Sequence, residues 1–500
     1  MKSRPLSGLL AELQEQILQY ALSYGLDFYP VIFEMCDYDT INILASLEGF
    51  PARYPHWRFG MNYDQMSKGY AYGLQKIYEM VINTDPCYAY LLNSNPVVDQ
   101  KTVMAHVYGH ADFFKNNLCF SQTNRKMMDV MANNGSKIRR YREKLGIETV
   151  EEFIDCVLSL DNLLDPSVLF TPSLNTPKKG KEEEKQEEDG RSAALKSFMS
   201  SSLSKKSEKE KEKEKEKKEK ETHKEKEEFF SNLNLPTRDV LSFFIHHAPL
   251  KEWQADILGL LREEAYYFLP QRMTKIMNEG WASYWHSLIL TRNALNADEI
   301  VDFADHHAGV MAMSKKSLNP YKIGIELFRD IEFRWNTGRF GKDYEECDRL
   351  EEKENWNRPV NQGRQKIFEV RKMCSDITFI DEFFTKDFCE RQQLFTYAYN
   401  SKTGRHEIED REFENIKKTL LGQLANFGSP VISVVEANYK NRSELLMRHT
   451  HYGQDLDINY IKATLTNVYK LWKRPVNLET IVSEKKTYFS FNGKELEKKQ

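Results

Sequence analysis

A lysine- and glutamate-rich tract near the middle of the chain most constrains how this protein can fold. Residues 178–228 contain 33 charged side chains, 17 basic and 16 acidic, among 51 positions. Such a segment buries too little apolar surface to offset an ordering cost of about 1–2 kcal/mol per residue. We therefore expect a solvated insertion, either disordered or a single helix supported by Glu–Lys pairs, between two segments that fold.

Outside this tract the composition is that of an ordinary globular protein. Of the 71 basic and 75 acidic residues, 54 and 59 lie outside it, so the remainder has a net charge of −5. Nucleic acid is not expected as a partner, because proteins that bind it usually show a basic excess. No run approaches the roughly 18 apolar residues of a membrane-spanning helix, and no secretory signal begins the sequence. The sequence predicts a cytoplasmic protein.

Hydrophobic spacing predicts a mainly α-helical protein with a small C-terminal α+β domain. Residues 1–175 and 231–376 are interpreted as two halves of one helical body, and 176–230 as the disordered or solvated insertion between them. Beyond residue 377 short strand-like segments alternate with two amphipathic helices, so 377–500 is predicted to form the small domain. Within the first half we predict helices over 9–21, 64–83 and 99–116, and a loop over 49–62.

The most informative motif is a pair of histidines in the segment VMAHVYGHADFFKNN. His106 and His110 are four residues apart, so in a helix both imidazoles lie on one face and can bind one metal ion. The spacing is that of the H-E-x-x-H zinc helix, but Val107 occupies the position of the glutamate that acts as general base. The motif therefore favours metal binding and leaves peptidase chemistry in doubt; a packed pair of structural histidines is the alternative.

A second segment, MNEGWASYWHSL, offers a third metal ligand. Glu279 and His286 lie seven residues apart and share a helical face. A carboxylate on a downstream helix that meets an H-x-x-x-H helix resembles the gluzincin metalloproteases. We predict one divalent ion, with zinc as first choice, at His106, His110 and Glu279, with water or His286 as the fourth ligand. The alternative is that Glu279 caps a helix or forms an ion pair in the core.

Further side chains are candidates for the cleft around this site. His286 or His307 is predicted to be the proton acceptor that Val107 does not provide. Arg53 and His56, in the aromatic segment RYPHWRFG, are predicted to form a binding rim for an anion. Each of them also has a structural interpretation, as a satisfied residue of the core. No phosphate-binding glycine motif or nucleophile elbow occurs, so no nucleotide cofactor is expected.

Longer blocks of the sequence resemble one known family. The segments GFPARYPHWRFG, MAHVYGHADFFKNN and EWQADILGLLREEAYYFLPQRMTKIMNEGWASYWH, followed by the α+β tail, look like the SpoVR family (stage V sporulation protein R). The resemblance implies a role in spore cortex formation in spore formers, or in stress responses in other bacteria. It also implies a PrkA-type serine protein kinase and a von Willebrand-type protein as partners. It supplies no catalytic residues.

Two functions from different classes follow from these observations. The first is a cytoplasmic SpoVR-like metal-dependent hydrolase, acting on an amide or peptide related to envelope metabolism, whose metal lowers the pKa of bound water toward about 7. The second is a non-catalytic regulatory scaffold that acts with the kinase and the von Willebrand-type protein. Val107 is the residue that most favours the second.

Overall fold

The structure is a computed structural model, and it describes residues 3–71, 79–170, 236–313, 318–400 and 405–499. The predicted charged insertion lies outside these residues. The chain forms two compact units: a larger one of residues 1–162, 250–430 and 452–454, and a smaller one of residues 163–249, 431–451 and 455–500. The domain boundaries expected at residues 176, 231 and 377 stay predictions.

Helices dominate the described residues. They are α1 (Leu9–Ser23), α2 (Tyr38–Ser46), α3 (Trp57–Ala71), α4 (Val97–Asn116), α5 (Met127–Leu145), α6 (Ile147–Leu158), α7 (Val240–His247), α8 (Glu252–Met273), α9 (Lys275–Ile289), α10 (Ile300–Val310), α11 (Pro320–Thr337), α12 (Lys342–Glu345), α13 (Leu350–Glu354), α14 (Gly363–Met373), α15 (Asp376–Phe383), α16 (Lys386–Arg391), α17 (Phe413–Leu424) and α18 (Ile458–Trp472). Among these residues, no helix combines the length and the apolar character that a bilayer crossing requires.

Three sheets complete the described structure. The strands are β1 (Ser3–Pro5), β2 (Val31–Cys36), β3 (Glu79–Ile82), β4 (Cys87–Leu92), β5 (Thr396–Asn400), β6 (Arg405–Asp410), β7 (Val431–Tyr439), β8 (Glu444–Thr450), β9 (Val476–Val482), β10 (Lys485–Phe491) and β11 (Leu496–Lys499). The prediction of a mainly helical protein with a small C-terminal α+β domain is confirmed.

The larger unit contains a four-stranded sheet that sequence analysis did not predict. Its strand order is β1-β2-β4-β3, and β2 runs parallel to β4 while the outer pairs are antiparallel. The predicted helix over 64–83 is wrong at both ends: α3 begins at Trp57, inside the predicted loop, and Glu79–Ile82 is a strand. Short apolar runs such as VIFEMC in β2 carry no periodicity that separates a buried strand from a buried helix.

The sheet leads directly to the helix that carries the histidine pair. Strand β4 ends at Leu92, and α4 starts at Val97 after a short turn. Helix α4 is buried on almost every side, from Val98 to Phe114, and the buried residues include the polar Asp99, Gln100, Lys101 and Asp112. It packs against α9, which in turn packs against α11. These three helices form the centre of the larger unit.

The smaller unit is built on a five-stranded sheet of order β11-β10-β9-β8-β7. Strands β8 and β9 are parallel and the other pairs are antiparallel. Helix α18 connects the parallel pair and packs on β9 and β10, which is the usual crossover between parallel strands. The N-terminal helix of this unit, α7, packs by Phe243 against Trp472 of α18, with ring centroids 5.6 Å apart.

Candidate metal centre

Three predicted metal ligands lie together at the contact of α4 with α9. Nε2 of His106 and Nε2 of His110 are each 3.5 Å from Oε2 of Glu279. The two imidazole rings are nearly perpendicular, at 89°, with centroids 4.5 Å apart. All three possible ligand atoms fall within 4.8 Å of one another. The three groups therefore point at a common position.

The spacing of these atoms fits a tetrahedral metal site. Zinc binds histidine nitrogen and carboxylate oxygen at about 2.0–2.2 Å, so two ligands on a tetrahedron lie about 3.4 Å apart. The two nitrogen–oxygen distances of 3.5 Å match that edge length. Three protein ligands leave one coordination position for water or substrate, as in catalytic zinc sites.

The side chain of Asn278 orients His110. Nδ1 of His110 is 2.8 Å from Oδ1 of Asn278. An amide oxygen only accepts hydrogen bonds, so Nδ1 donates and the lone pair of Nε2 faces Glu279. Burial, with the nearby His106, lowers the pKa of His110 to about 4. The imidazole is therefore neutral at pH 7, which is the state that binds metal.

Two further histidines, His286 and His307, form a chain of contacts that begins at Nδ1 of His106. Nδ1 of His106 is 2.8 Å from Nδ1 of His286, and Nε2 of His286 is 3.2 Å from Nδ1 of His307. When His106 donates in the first contact, its Nε2 lone pair faces Glu279, and His286 can donate in turn to His307. Burial and the neighbouring imidazoles hold the pKa of His286 well below its ordinary value. His286 thus contacts His106 on the side away from Glu279 and is not among the three groups that could hold one ion. The proton-acceptor role expected of His286 or His307 stays a prediction.

The carboxylate of Glu279 has an unsatisfied oxygen. Its Oε2 is buried and has no hydrogen-bond partner among the described residues. Burial raises the pKa of Glu279, but interactions with His106, His110 and the hydroxyl of Tyr321 outweigh burial and lower it. Glu279 is therefore ionised at pH 7, and the histidine beside it, His110, is neutral. A bound cation would give the buried Oε2 atom the partner that it lacks.

Glycines allow the three helices to approach closely enough to form this cluster. A β-carbon on Gly109 of α4 would lie 2.7 Å from Cα of Ala282 of α9. On the other side of α9, a β-carbon on Gly324 of α11 would lie 2.6 Å from Cα of Gly280. Real side chains do not occupy such positions. The residues that precede His110 and follow Glu279 are thus glycines because the helix backbones touch there.

A cavity of about 670 Å³ opens beside the candidate metal centre. His110, Asn278, Glu279 and Tyr321 line it at the metal centre. Its volume lies within the range of about 300–1,000 Å³ that is usual for small-molecule sites. The cluster is therefore accessible to a ligand of that size.

The predicted binding residues Arg53 and His56 contact residues other than the three ligands. Arg53 lines the cavity, but its guanidinium is 2.5 Å from both Glu48 and Glu264. His56 is buried, with Nε2 3.2 Å from Asp155 and Nδ1 accepting the backbone N–H of Arg58 at 3.3 Å. A binding role for either residue stays a prediction.

Sequence analysis missed two residues of the cluster. Asn278 immediately precedes Glu279. A polar side chain next to a predicted ligand was the signal in the sequence that could have identified it. Tyr321 comes from α11, which no metal-ligand spacing singled out. Val107, in the position of the usual general base, is fully buried and contributes to the core.

Comparison with known proteins gives one family over nearly the whole chain. The family described as SpoVR like protein matches residues 7–429, and the SpoVR-like C-terminal domain matches residues 430–483. The uncharacterized protein YcgB of Escherichia coli (strain K12) is 28% identical over 490 residues, which cover 93% of this chain and 90% of the relative. No solved structure gives a significant match.

Proposed function

The chain belongs to the SpoVR family, and we propose that it is a metal-dependent hydrolase. One divalent ion, zinc in the first place, would be bound by His106, His110 and Glu279. The substrate would be an amide or peptide, which fits the envelope chemistry expected for a role in spore cortex formation or a stress response.

One observation carries the proposal. Oε2 of Glu279 is buried without a hydrogen-bond partner among the described residues, and two imidazole nitrogens face it at 3.5 Å. Asn278 and His286 hold those imidazoles by their Nδ1 atoms. Partners of this kind, behind the ligands, accompany nearly every histidine that binds metal.

A divalent ion held by His106, His110 and Glu279 would supply polarisation of the substrate carbonyl and a lower pKa for bound water. The residues of the chain have separate tasks. Glu279 balances the charge of the ion, and Tyr321, which lines the cavity beside it, donates a hydrogen bond to the carboxylate of Glu279 and holds it in position. His286 and His307 act through His106, because His286 contacts its Nδ1; they fix its tautomer and are positioning residues.

Elemental analysis of the full chain, purified without added metal, tests the proposal. We expect about one zinc ion or another divalent ion per chain, and its loss in His110→Ala and Glu279→Gln. His306→Gln is the control, since His306 is an exposed histidine whose Nδ1 contacts Asp99. A folded wild type without metal, or retention of metal by both ligand variants, would contradict the proposal.

A second candidate function is a non-catalytic regulatory scaffold that binds a PrkA-type serine protein kinase and a von Willebrand-type protein. The burial of Val107, in the position where zinc peptidases have their general base, favours it. Under this candidate, Glu279→Gln would still bind both partners in a pull-down with purified proteins, and the wild type would release no amine from any amide. Metal-dependent hydrolysis that Glu279→Gln abolishes would exclude it.

A further inference from the structure

The cavity beside the candidate metal centre is lined by as many acidic as basic side chains. The basic ones are Arg53, Arg58, Arg272 and Lys275, and the acidic ones are Glu48, Asp161, Glu264 and Glu279. These groups are not equivalent, because some are neutralised by close partners within the protein.

Arg53 is engaged within the protein through both terminal nitrogens of its guanidinium. Its guanidinium bridges Glu48 and Glu264, at 2.5 Å from each. Arg58 adds a longer contact, 3.9 Å, to Glu48. Arg53 and the two glutamates are therefore paired with one another, and Arg58 is attracted to Glu48 at longer range.

Arg272 and Lys275 are engaged much less. Neither has an ion-pair partner within 4.0 Å in the part of the chain that the structure describes. Asp161 is the cavity carboxylate that interacts with Arg272. Burial raises the pKa of Asp161, and the positive charge of Arg272 partly offsets that rise. Lys275 has no comparable carboxylate in the cavity wall, although it is attracted to Asp376 behind the start of α9.

The position of Lys275 relative to the metal centre is set by the helix. Lys275 and Glu279 are one turn apart on α9 and line the same cavity. Residues four apart on a helix have β-carbons about 5–6 Å apart. An ammonium group on a flexible four-carbon stem can thus reach a ligand group next to one bound at the metal.

The charge of the cavity then specifies the ligand. Counted at formal charge, the four basic and four acidic side chains of the lining sum to zero, so a divalent ion bound as in the proposed function gives the cavity a formal net charge of +2. A substrate with one carboxylate, together with the negative charge that develops on its carbonyl oxygen during hydrolysis, brings −2.

Resting on the proposed function, we infer that the substrate is a small amide with a free carboxylate, which Lys275 and Arg272 bind. Water adds its hydroxyl group to the acyl carbon and its proton to the departing amine, and the C–N bond breaks without any redox partner. The cavity, at about 670 Å³, accommodates a short peptide and not a folded protein.

Two thiol probes test this inference on the zinc-loaded full chain. N-(3-mercaptopropanoyl)glycine carries a carboxylate, and N-(3-mercaptopropanoyl)glycinamide does not; both offer the same thiol to the metal. We expect calorimetric titration to give about 10- to 100-fold tighter binding of the acid, the usual value of a hydrogen bond to a charged group. Lys275→Met should reduce this preference to less than about 3-fold, and Lys275→Arg should retain most of it.

Lys372→Met is the matched control, since Lys372 is exposed on α14 and does not line the cavity; the preference should be unchanged. Lys275 is itself exposed, so its variants are expected to fold. Equal affinity for the two probes in a protein that contains zinc overturns the inference and leaves the metal centre standing. A wild type that takes up no zinc overturns both.

Discussion

His106 and His286 meet through their Nδ1 atoms, 2.8 Å apart, on the side of His106 that faces away from Glu279. This contact directs Nε2 of His106 toward the carboxylate. We predict that His286→Ala weakens zinc binding about 10- to 100-fold, the usual effect of removing the partner behind a ligand histidine. Competition with a chromogenic chelator measures the affinity. His286→Gln, which retains a hydrogen-bonding side chain, should lose less; equal affinities in all three proteins would contradict the role.

The glycine contact between α9 and α11 should be sensitive to a single methyl group. Gly280→Ala places a methyl against the backbone of Gly324, and we expect the free energy of unfolding to fall by at least about 2 kcal/mol. Gly259→Ala on α8 is the control, because no atom lies within 4 Å of its added β-carbon. That variant should gain about 0.5–1 kcal/mol from helix propensity. Urea denaturation compares them, and equal effects would exclude a close helix contact.

Asp376 should make stability depend on pH. Its carboxylate accepts the backbone N–H groups of Ile276 and Met277 at 2.8 and 2.9 Å, yet burial raises its pKa from 3.8 to about 7. Between these values the folded chain binds more protons than the unfolded chain, so this contribution to stability is present below about pH 4 and is lost as the pH rises to 7.

The matching measurement is the free energy of unfolding of wild type and Asp376→Asn between pH 4 and 7.5. The wild type should lose stability relative to the variant by up to about 1.4 kcal/mol per pH unit. Comparison of the two proteins is essential, because buried Asp112, whose pKa is raised to about 6, acts in the same direction in both. Parallel curves would show that Asp376 does not titrate in this window.

Substitution of Arg53 distinguishes a ligand-binding role of this residue from a structural one. Glu264 is 3% exposed and lies 2.5 Å from the guanidinium, so Arg53→Met leaves a buried carboxylate without its partner. We predict a loss of about 3–5 kcal/mol in the free energy of unfolding. Replacement of both residues by methionine should recover most of it. If the single variant keeps full stability and loses only ligand affinity, the binding role expected from sequence is the correct one.

Local patterns predicted more of this protein than long-range ones. The spacing of His106 and His110 and the position of Glu279 are periodic features of single helices, so both helices could be read from neighbouring residues. The separation between those helices could not, since it depends on Gly109, Gly280 and Gly324 meeting backbones far away in the sequence. The orientation of each imidazole likewise depends on Asn278 and His286, partners that only the folded chain supplies.

The strands of the N-terminal sheet could not be recognised from neighbouring residues. Strand β4 is six residues of nearly unbroken apolar character, and five of its six residues are buried. A parallel strand covered on both faces loses the alternation that marks a strand on one face. Its partner β2 is more than 50 residues earlier, so the pairing leaves no signal in either segment alone. Strand β7, by contrast, alternates between buried and more exposed residues over its first four positions, the pattern of a strand with solvent on one side.

The candidate metal centre cannot be completed until long after its two histidines have been synthesised. His110 and its partner Asn278 are 168 residues apart in the chain, and at about 5–20 residues per second a ribosome needs about 10–30 s to travel between them. Throughout that interval the nascent chain contains His106 and His110 but not yet Glu279. Any ion that the finished centre holds is thus taken up only after Glu279 has been synthesised and its helix has docked, from whatever the surrounding solution offers at that stage.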